Sequence, residues 1–424
     1  MGRLILVGMG PGDACLRTGC AEEAIWNAVR VVVSARYLPM LPPHADVRVY
    51  NTVQDAVPLV HEALPRGDVA VCVSGDPGLF SLRGLMRKAF PETRIEVVSG
   101  IGSLQYLCDR LGEGRESAAL LSAHGRGVGD GRLIGTVATH AMTLLLLDNR
   151  QDPAWLCRTL CAYGLGDLRV AVGMSLGMPG ESMLEGTAQE LAGRNMAGLC
   201  AARIRNDAPL PAVVGFGLPD EAFVRGDTPM TKAEVRAVAL AKLGLHEEAV
   251  VWDIGAGTGS VSVECARLCR YGLVHALERA DDAVGLLRAN RERFRLPNLR
   301  LHQGQAPAAL VMLPDPTHVF VGGSGGELAA VLEHVACRGA RIRVVVAAVT
   351  LETQAAAGAV MGKAPFADLE VVQLGVARSR RAGRSTLMMA QNPVTLFSAW
   401  TDGSAATADS DDCRQDHERK ETHA

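Results

Sequence analysis

The stretch Val250 to Ser260, Val-Val-Trp-Asp-Ile-Gly-Ala-Gly-Thr-Gly-Ser, constrains this chain more than any other. The apolar run from Ala249 to Ile254 has the length of one buried strand. Gly255, Gly257 and Gly259 follow at alternate positions, and a helical pattern starts at Ser260. Glycines at a strand-to-helix turn let the backbone bend sharply and approach a ligand closely. A second apolar run, Gly272 to Leu277, ends in Glu278. A carboxylate at that place can take both hydroxyls of a ribose. A glycine triplet alone says little. Strand, turn, helix, second strand and acidic end together predict a nucleoside-cofactor site.

The spacing narrows the nucleoside. A dinucleotide fingerprint reads Gly-x-Gly-x-x-Gly and seats a pyrophosphate on the helix N-terminus. Here the third glycine comes one residue early, and Asp253 precedes the first. A carboxylate beside the turn suits the cationic amino group of S-adenosylmethionine better than a pyrophosphate. The Asp-x-Gly-x-Gly-x-Gly form resembles the turn of S-adenosylmethionine-dependent methyltransferases.

The chain has 424 residues, 48% hydrophobic and 21% charged, with a net charge of −3. That length suits two or three domains. The acidic balance and 4% aromatic content argue against a nucleic-acid partner. Eleven cysteines are scattered without Cys-x-x-Cys, which predicts reduced thiols and a cytoplasmic protein. Leu4 to Val7, followed by Gly-Met-Gly-Pro-Gly, reads as a first strand rather than a signal peptide. No apolar stretch has the length of a membrane span, so no membrane partner is expected. No zinc or nucleophile-elbow motif occurs, and no metal is expected.

In the first half, predicted strands at Leu4–Gly8, Val69–Val73 and Ile95–Val98 each run into a glycine-rich loop. Three such loops at strand ends exceed what packing needs and favour a ligand site. The pattern restarts after Gly114, with strands at Ala118–Ser122, Met142–Leu147, Arg169–Met174, Leu199–Ile204 and Ala212–Phe216. Asp152 reads as the N-cap of a helix that Pro153 opens. The first domain is placed at 1–217, with subdomains 1–112 and 113–217, and the proline-punctuated stretch 218–229 is the linker. Thr231 and Glu234 then read as a capping box. A doubly wound α/β domain fills 230–400, closed by an antiparallel edge hairpin from Leu369–Val376 and Thr386–Ala390. Residues 401–424 are polar and mixed in charge, and read as a disordered tail.

The first half resembles the tetrapyrrole methylase family. The resemblance rests on Val7-Gly8-Met9-Gly10-Pro11-Gly12-Asp13, Ser74-Gly75-Asp76-Pro77-Gly78, Gly100-Ile101-Gly102-Ser103, His124-Gly125-Arg126 and Glu185-Gly186-Thr187. The second half is similar to decarboxylating precorrin methyltransferases through Met230-Thr231-Lys232-Ala233-Glu234-Val235-Arg236, the Asp253 turn, Gly322-Gly323-Ser324-Gly325-Gly326 and Val349-Thr350-Leu351-Glu352-Thr353. Over about residues 3 to 399 the chain resembles fused precorrin-6 methyltransferases of cobalamin biosynthesis. These methylate carbons 5 and 15 of the macrocycle and remove the carboxyl of the ring C acetate.

The resemblance implies an N-terminal tetrapyrrole methylase fold of two subdomains followed by a Rossmann-like methyltransferase domain. It implies two S-adenosylmethionine sites. One uses Thr231, Asp253, Gly255, Ala256, Gly257, Thr258, Gly259, Glu278, Gln305 and Ala306; the other uses Gly75, Asp76, Pro77, Ser103 and the strand at Leu145. The family usually has Gly-Asp-Ala at Gly304-Gln305-Ala306, and Gln305 can still accept from the adenine amine through its carbonyl. For the tetrapyrrole substrate the candidates are Gly323, Ser324, Gly325, His124, Arg126 and Arg378. Glu352 and Thr350 are catalytic candidates for decarboxylation. A homo-oligomer through the C-terminal domain is expected. Rival readings are a methyltransferase of another small molecule or RNA, and an S-adenosylmethionine-sensing module without turnover.

Overall fold

The computed structural model describes residues 2–44, 46–79, 82–124, 127–196, 198–211, 215–338 and 341–403. The expected tail beyond 403 and part of the expected strand at Ala212–Phe216 lie outside them. The chain divides into two compact units, Met1–Gly129 with His140–Pro209, and Asp130–Thr139 with Leu210–Ala424.

The first unit holds two sheets. In the first, β1 (Leu4–Gly8), β2 (Arg30–Ser34), β3 (Val47–Tyr50), β4 (Val69–Val73) and β5 (Ile95–Val98) lie in the order 3-2-4-1-5, all parallel. The β-branched runs of β1, β2 and β4 are almost wholly buried, as strands covered on both faces must be. The second sheet has β6 (Ala119–Ser122), β7 (Met142–Leu146), β8 (Arg169–Met174), β9 (Ser182–Thr187) and β10 (Cys200–Arg205) in the order 6-7-10-8-9. Only β6 and β7 run parallel there. Asp152 caps the helix Pro153–Ala162, accepting from the Trp155 amide at 2.6 Å.

The second unit is the doubly wound sheet that its opening turn predicts. Strands β11 (Val250–Ile254), β12 (Leu273–Glu278), β13 (Leu299–Gln303), β14 (His318–Val321) and β15 (Arg343–Ala348) are parallel, in the order 13-12-11-14-15. β16 (Phe366–Leu374), the hairpin strands β17 (Ala377–Ala382) and β18 (Ser385–Ala390), and β19 (Val394–Thr401) follow. Trp252 and Ile254 pack on one face of the sheet, Val251 on the other. The helix Asp130–Thr139 groups with this unit. A side chain at Gly135 would fall 1.7 Å from the Arg270 carbonyl oxygen, so the glycine permits a backbone contact.

Two local expectations are corrected. The edge is not a hairpin of Leu369–Val376 with Thr386–Ala390. β19 inserts between β15 and β16, antiparallel to both, while β17 and β18 pair only with each other. The reason is burial: β19 is almost fully covered, whereas every residue of β18 is exposed. The capping box at Thr231 does not form either. Lys232 stands at the N-cap without a side-chain bond. Glu234 instead binds the Arg378 guanidinium, and the Thr231 carbonyl accepts from Arg236 Nη1 at 2.7 Å.

Candidate active sites

In the second unit, the ends of β11, β12 and β14 frame an open cavity. Its floor is two glycine loops in contact. A Cβ on Gly255 would sit 2.2 Å from the Gly323 oxygen, so only glycine lets the Asp253 turn and the loop after β14 touch. Gly255, Gly257 and Gly259 all take left-handed φ, at 70°, 56° and 78°. Gly255 and Gly257 line the cavity. Gly259 serves packing, because a Cβ there would fall 2.1 Å from Leu287 Cδ1.

Glu278 lies on the cavity wall at the end of β12. Its Oε2 accepts from the Gly257 amide at 2.9 Å, and its Oε1 accepts from the Arg279 and Ala280 amides at 2.8 and 3.0 Å. Three backbone donors fix the carboxylate and leave one of its roughly four lone-pair sites, on Oε2, for a ligand. Glu278→Ala should weaken cofactor binding at this site by at least about tenfold, the loss of a charge-assisted hydrogen bond. Titration calorimetry with S-adenosylhomocysteine that finds the site unchanged would sink this assignment.

Gln305, Ala306, Gly323, Ser324 and Gly325 also line the cavity, as the resemblance implies. Ala256, Thr258 and Thr231 do not. Thr258 is buried, with its carbonyl accepting from Asn290 Nδ2 at 2.8 Å. The wall next to the linker comes instead from Thr228 and Pro229, three and two residues before Thr231. Arg279 lines the rim beside Gly325, 3.1 Å from where a Cβ would stand. These wall residues escape sequence reading because no periodicity marks them.

Asp253 is corrected from a cofactor contact to a support beneath the turn. Strand alternation turns it away from Ile254, which faces the cavity. It is fully buried and accepts from Ser262 Oγ through Oδ2, while Oδ1 has no hydrogen-bond partner. Burial, aided by the nearby Glu278 charge, pushes its pKa up to about 7. Its folded pKa thus exceeds the unfolded one, so its own contribution to stability is greatest in acid. Stability should fall as pH rises from the ordinary carboxylate range to about 7. Asp253→Asn should remove this slope in denaturation midpoints measured from about pH 5 to about pH 8; a slope kept in full would assign it to another group.

Thr350 caps the helix Leu351–Met361, accepting from the Thr353 amide at 3.2 Å, and Glu352 is exposed in its first turn. Neither lines the cavity. Arg378 is engaged on Asp220 Oδ2 at 2.8 Å and on Glu234 Oε1 at 3.0 Å. A guanidinium so paired is a brace rather than an open carboxylate receptor.

In the first unit the three predicted loops converge. Gly75 donates its amide to the Gly10 carbonyl at 3.0 Å, and a Cβ on Gly8 would fall 2.5 Å from the Gly100 nitrogen. Beside them lies a cleft lined by Gly75, Asp76, Ser103 and His124. Pro77 and Leu145 are not on its wall. Leu145 is fully buried in β7, and Leu146 and Leu147 face the cleft. Burial lowers the His124 pKa against the opposing pull of Asp148, so the ring meets a ligand neutral at pH 7. Arg126 lies outside the described residues. Arg36 and Tyr37, which sequence reading passed over, also line this cleft.

Residues 221–401 match the precorrin methyltransferase domain family, and residues 3–192 match the tetrapyrrole (corrin/porphyrin) methylases. A probable cobalt-precorrin-6B C(15)-methyltransferase (decarboxylating) of Pyrobaculum calidifontis is 43% identical over 187 residues, 43% of this chain and 95% of that protein. A precorrin-6Y C(5,15)-methyltransferase (decarboxylating) of a Sinorhizobium species is 28% identical over 418 residues, 94% of this chain and 96% of that protein. The crystal structure of precorrin-6y C5,15-methyltransferase from Geobacter metallireducens shares 37% identity, covers 45% of this chain and 99% of its own, and superposes with a TM-score of 0.42. The chain belongs to the precorrin methyltransferase family. Methyltransferases of this family use S-adenosylmethionine. Among the described residues no helix is long and apolar enough to cross a membrane, and no group of three His, Cys, Asp or Glu could hold a metal ion.

Proposed function

We propose that this chain methylates a precorrin-6 macrocycle at carbons 5 and 15 and decarboxylates its ring C acetate, as a cytoplasmic enzyme of corrin-ring synthesis. The observation that carries the reading is the presence, in one chain, of two separate glycine-floored cavities in units that match two methylase families. Each cavity takes its own S-adenosylmethionine. The first unit methylates one carbon; the second methylates the other and releases carbon dioxide.

The residues present fit that cofactor. Gly255 and Gly257 line the cavity without side chains to obstruct it, and Glu278, held by backbone amides, keeps a lone pair for a ribose hydroxyl. Bound S-adenosylmethionine supplies an electrophilic methyl group on a sulfonium. The chain's work is alignment: the turn and Glu278 hold the cofactor, and the Gly322–Gly326 loop leaves room for a flat macrocycle. Correct orientation of carbon, methyl and sulfur is worth up to roughly 7 to 11 kcal/mol. In decarboxylation the acetate's carbon–carboxyl bond breaks, carbon dioxide leaves, and the electron pair passes into the conjugated macrocycle. A proton then completes the methyl group. Loop amides at Ser324 and Gly325 can meet the carboxylate before it leaves.

The protein self-associates through its second unit, where the hairpin exposes Leu387, Met388 and Met389. The function is tested by mass spectrometry of products formed from precorrin-6 intermediates and S-adenosylmethionine. The expected product has gained two methyl groups and lost one carbon dioxide. Methyl transfer to another acceptor alone, or binding without transfer, would overturn the reading.

A further inference from the structure

We infer that Arg36 is a specificity-determining residue of the first-unit cleft, where its guanidinium takes a carboxylate of the macrocycle. The inference rests on the function proposed above. Four observations carry it. Arg36 lines the same cleft as Gly75, Asp76, Ser103 and His124. Its Nε is buried and has no hydrogen-bond partner. Its guanidinium carbon lies 4.7 Å from the centroid of the Tyr37 ring, and that ring is 1% exposed, so the cation rests on a fixed platform. No carboxylate among the described residues forms an ion pair with it, although most buried cations here have one.

An unpaired buried donor on an arginine is costly unless a ligand completes it. The cleft's one acidic residue, Asp76, does not complete it: Asp76 forms no ion pair with Arg36, and its Oδ1 accepts from the Gly78 amide at 2.5 Å. A planar guanidinium matches a carboxylate through two parallel hydrogen bonds. Two carboxylates could supply the match, one on the macrocycle and one on the amino-acid end of the cofactor. Charge favours the macrocycle. Arg36 and a sulfonium put two positive charges in a cleft whose one lining carboxylate is Asp76, so the bound cofactor gains when a further anion enters. A polycarboxylate macrocycle brings that anion, and a neutral His124 leaves Arg36 as the cleft's only fixed positive charge. Arg36 thereby couples acceptance of the substrate to its acidic side chains.

The test uses the full chain with Arg36→Gln and Arg36→Lys. Steady-state methylation at the first-unit carbon should show KM for the macrocycle raised about tenfold or more in Arg36→Gln, the worth of one charge-assisted pair. The kcat should stay within a few-fold, and Arg36→Lys should recover part of the loss. Affinity for S-adenosylhomocysteine and for 5′-methylthioadenosine, which lacks the amino-acid carboxylate, should be unchanged. A selective loss of S-adenosylhomocysteine binding would move Arg36 to the cofactor and overturn the inference. An unchanged KM in a folded Arg36→Gln protein would overturn it too. If Arg36→Gln fails to fold, the Lys variant decides alone, since it keeps the charge but not the fork: an unchanged KM there overturns the inference. A wild-type enzyme that leaves the macrocycle unmethylated would instead refute the proposed function, so the two failures are distinct.

Discussion

Gly323→Val is expected to abolish carbon dioxide release and the second-unit methylation while leaving the cofactor bound. Gly323 lines the cavity, a Cβ there meets nothing within 4 Å, and its backbone is not left-handed. A valine can therefore be added without strain, and its bulk enters the space held for the macrocycle. A displacement of about 1 Å at the reacting centre can cost on the order of a hundredfold in rate, and exclusion of the ring should cost at least that. The cofactor rests on Gly255, Gly257 and Glu278, so S-adenosylhomocysteine affinity at this site should change by less than about threefold. Methylation by the first unit should persist in the same variant and report that the protein is intact. A folded Gly323→Val enzyme that releases carbon dioxide at the normal rate would rule out the loop as the macrocycle seat. Gly325 is a poorer probe, because its φ of 61° strains any side chain and a Cβ would stand 3.1 Å from Arg279 Nη1.

Arg236→Met should destabilise the second unit by about 3 to 5 kcal/mol, the cost of stranding buried charges. Arg236 is fully buried. Its Nε meets Glu264 Oε1 at 2.6 Å and its Nη1 meets Asp220 Oδ1 at 3.3 Å; Glu264 and Asp220 are themselves 0% and 2% exposed. Glu264 also accepts from the Gly217 and Leu218 amides at 2.6 and 3.1 Å. The network thus straps residues 217–231 to the helices Ala233–Leu243 and Ser260–Leu268, and that strap carries Thr228 and Pro229 to the cavity wall. For a unit of this size the loss corresponds to a Tm drop of about 6 to 20 °C, read by calorimetry. Arg236→Lys should not restore it, because one ammonium cannot reach partners that a planar fork spans. Arg378→Met should cost less, since Arg378 is 35% exposed, Asp220 keeps Arg236, and Glu234 is 47% exposed. A drop below about 1 kcal/mol for Arg236→Met would show that the carboxylates find other partners or are neutral.

The doubly wound sheet was legible because its signals are local. Each of β11, β12, β14 and β15 is an apolar run of buried-strand length, and the glycines stand at the turn that needs them. Gly255, Gly257 and Glu278 were placed on the cavity for the same reason, and Gln305, Gly323 and Gly325 through the family resemblance. Misreadings came where one side chain had two physically reasonable partners. Glu234 could cap its own helix or pair with Arg378, 144 residues away, and the distant guanidinium won. Asp253 could face a ligand or the core, and the pleat of β11 turned it inward, onto Ser262.

By itself the sequence determined two α/β halves, the glycine loops at strand ends, the acidic residue that closes β12, and a composition unsuited to nucleic acid. Those properties depend on a residue and its near neighbours along the chain. Tertiary structure alone decided that β19 lies between β15 and β16, that Arg378 braces Asp220 and Glu234, and that Arg36 stands without an acidic partner in the first cleft. Strand order, ion pairing and an unmet donor are set by which surfaces and charges meet in space, and contacts between residues far apart in the chain leave no local period to read.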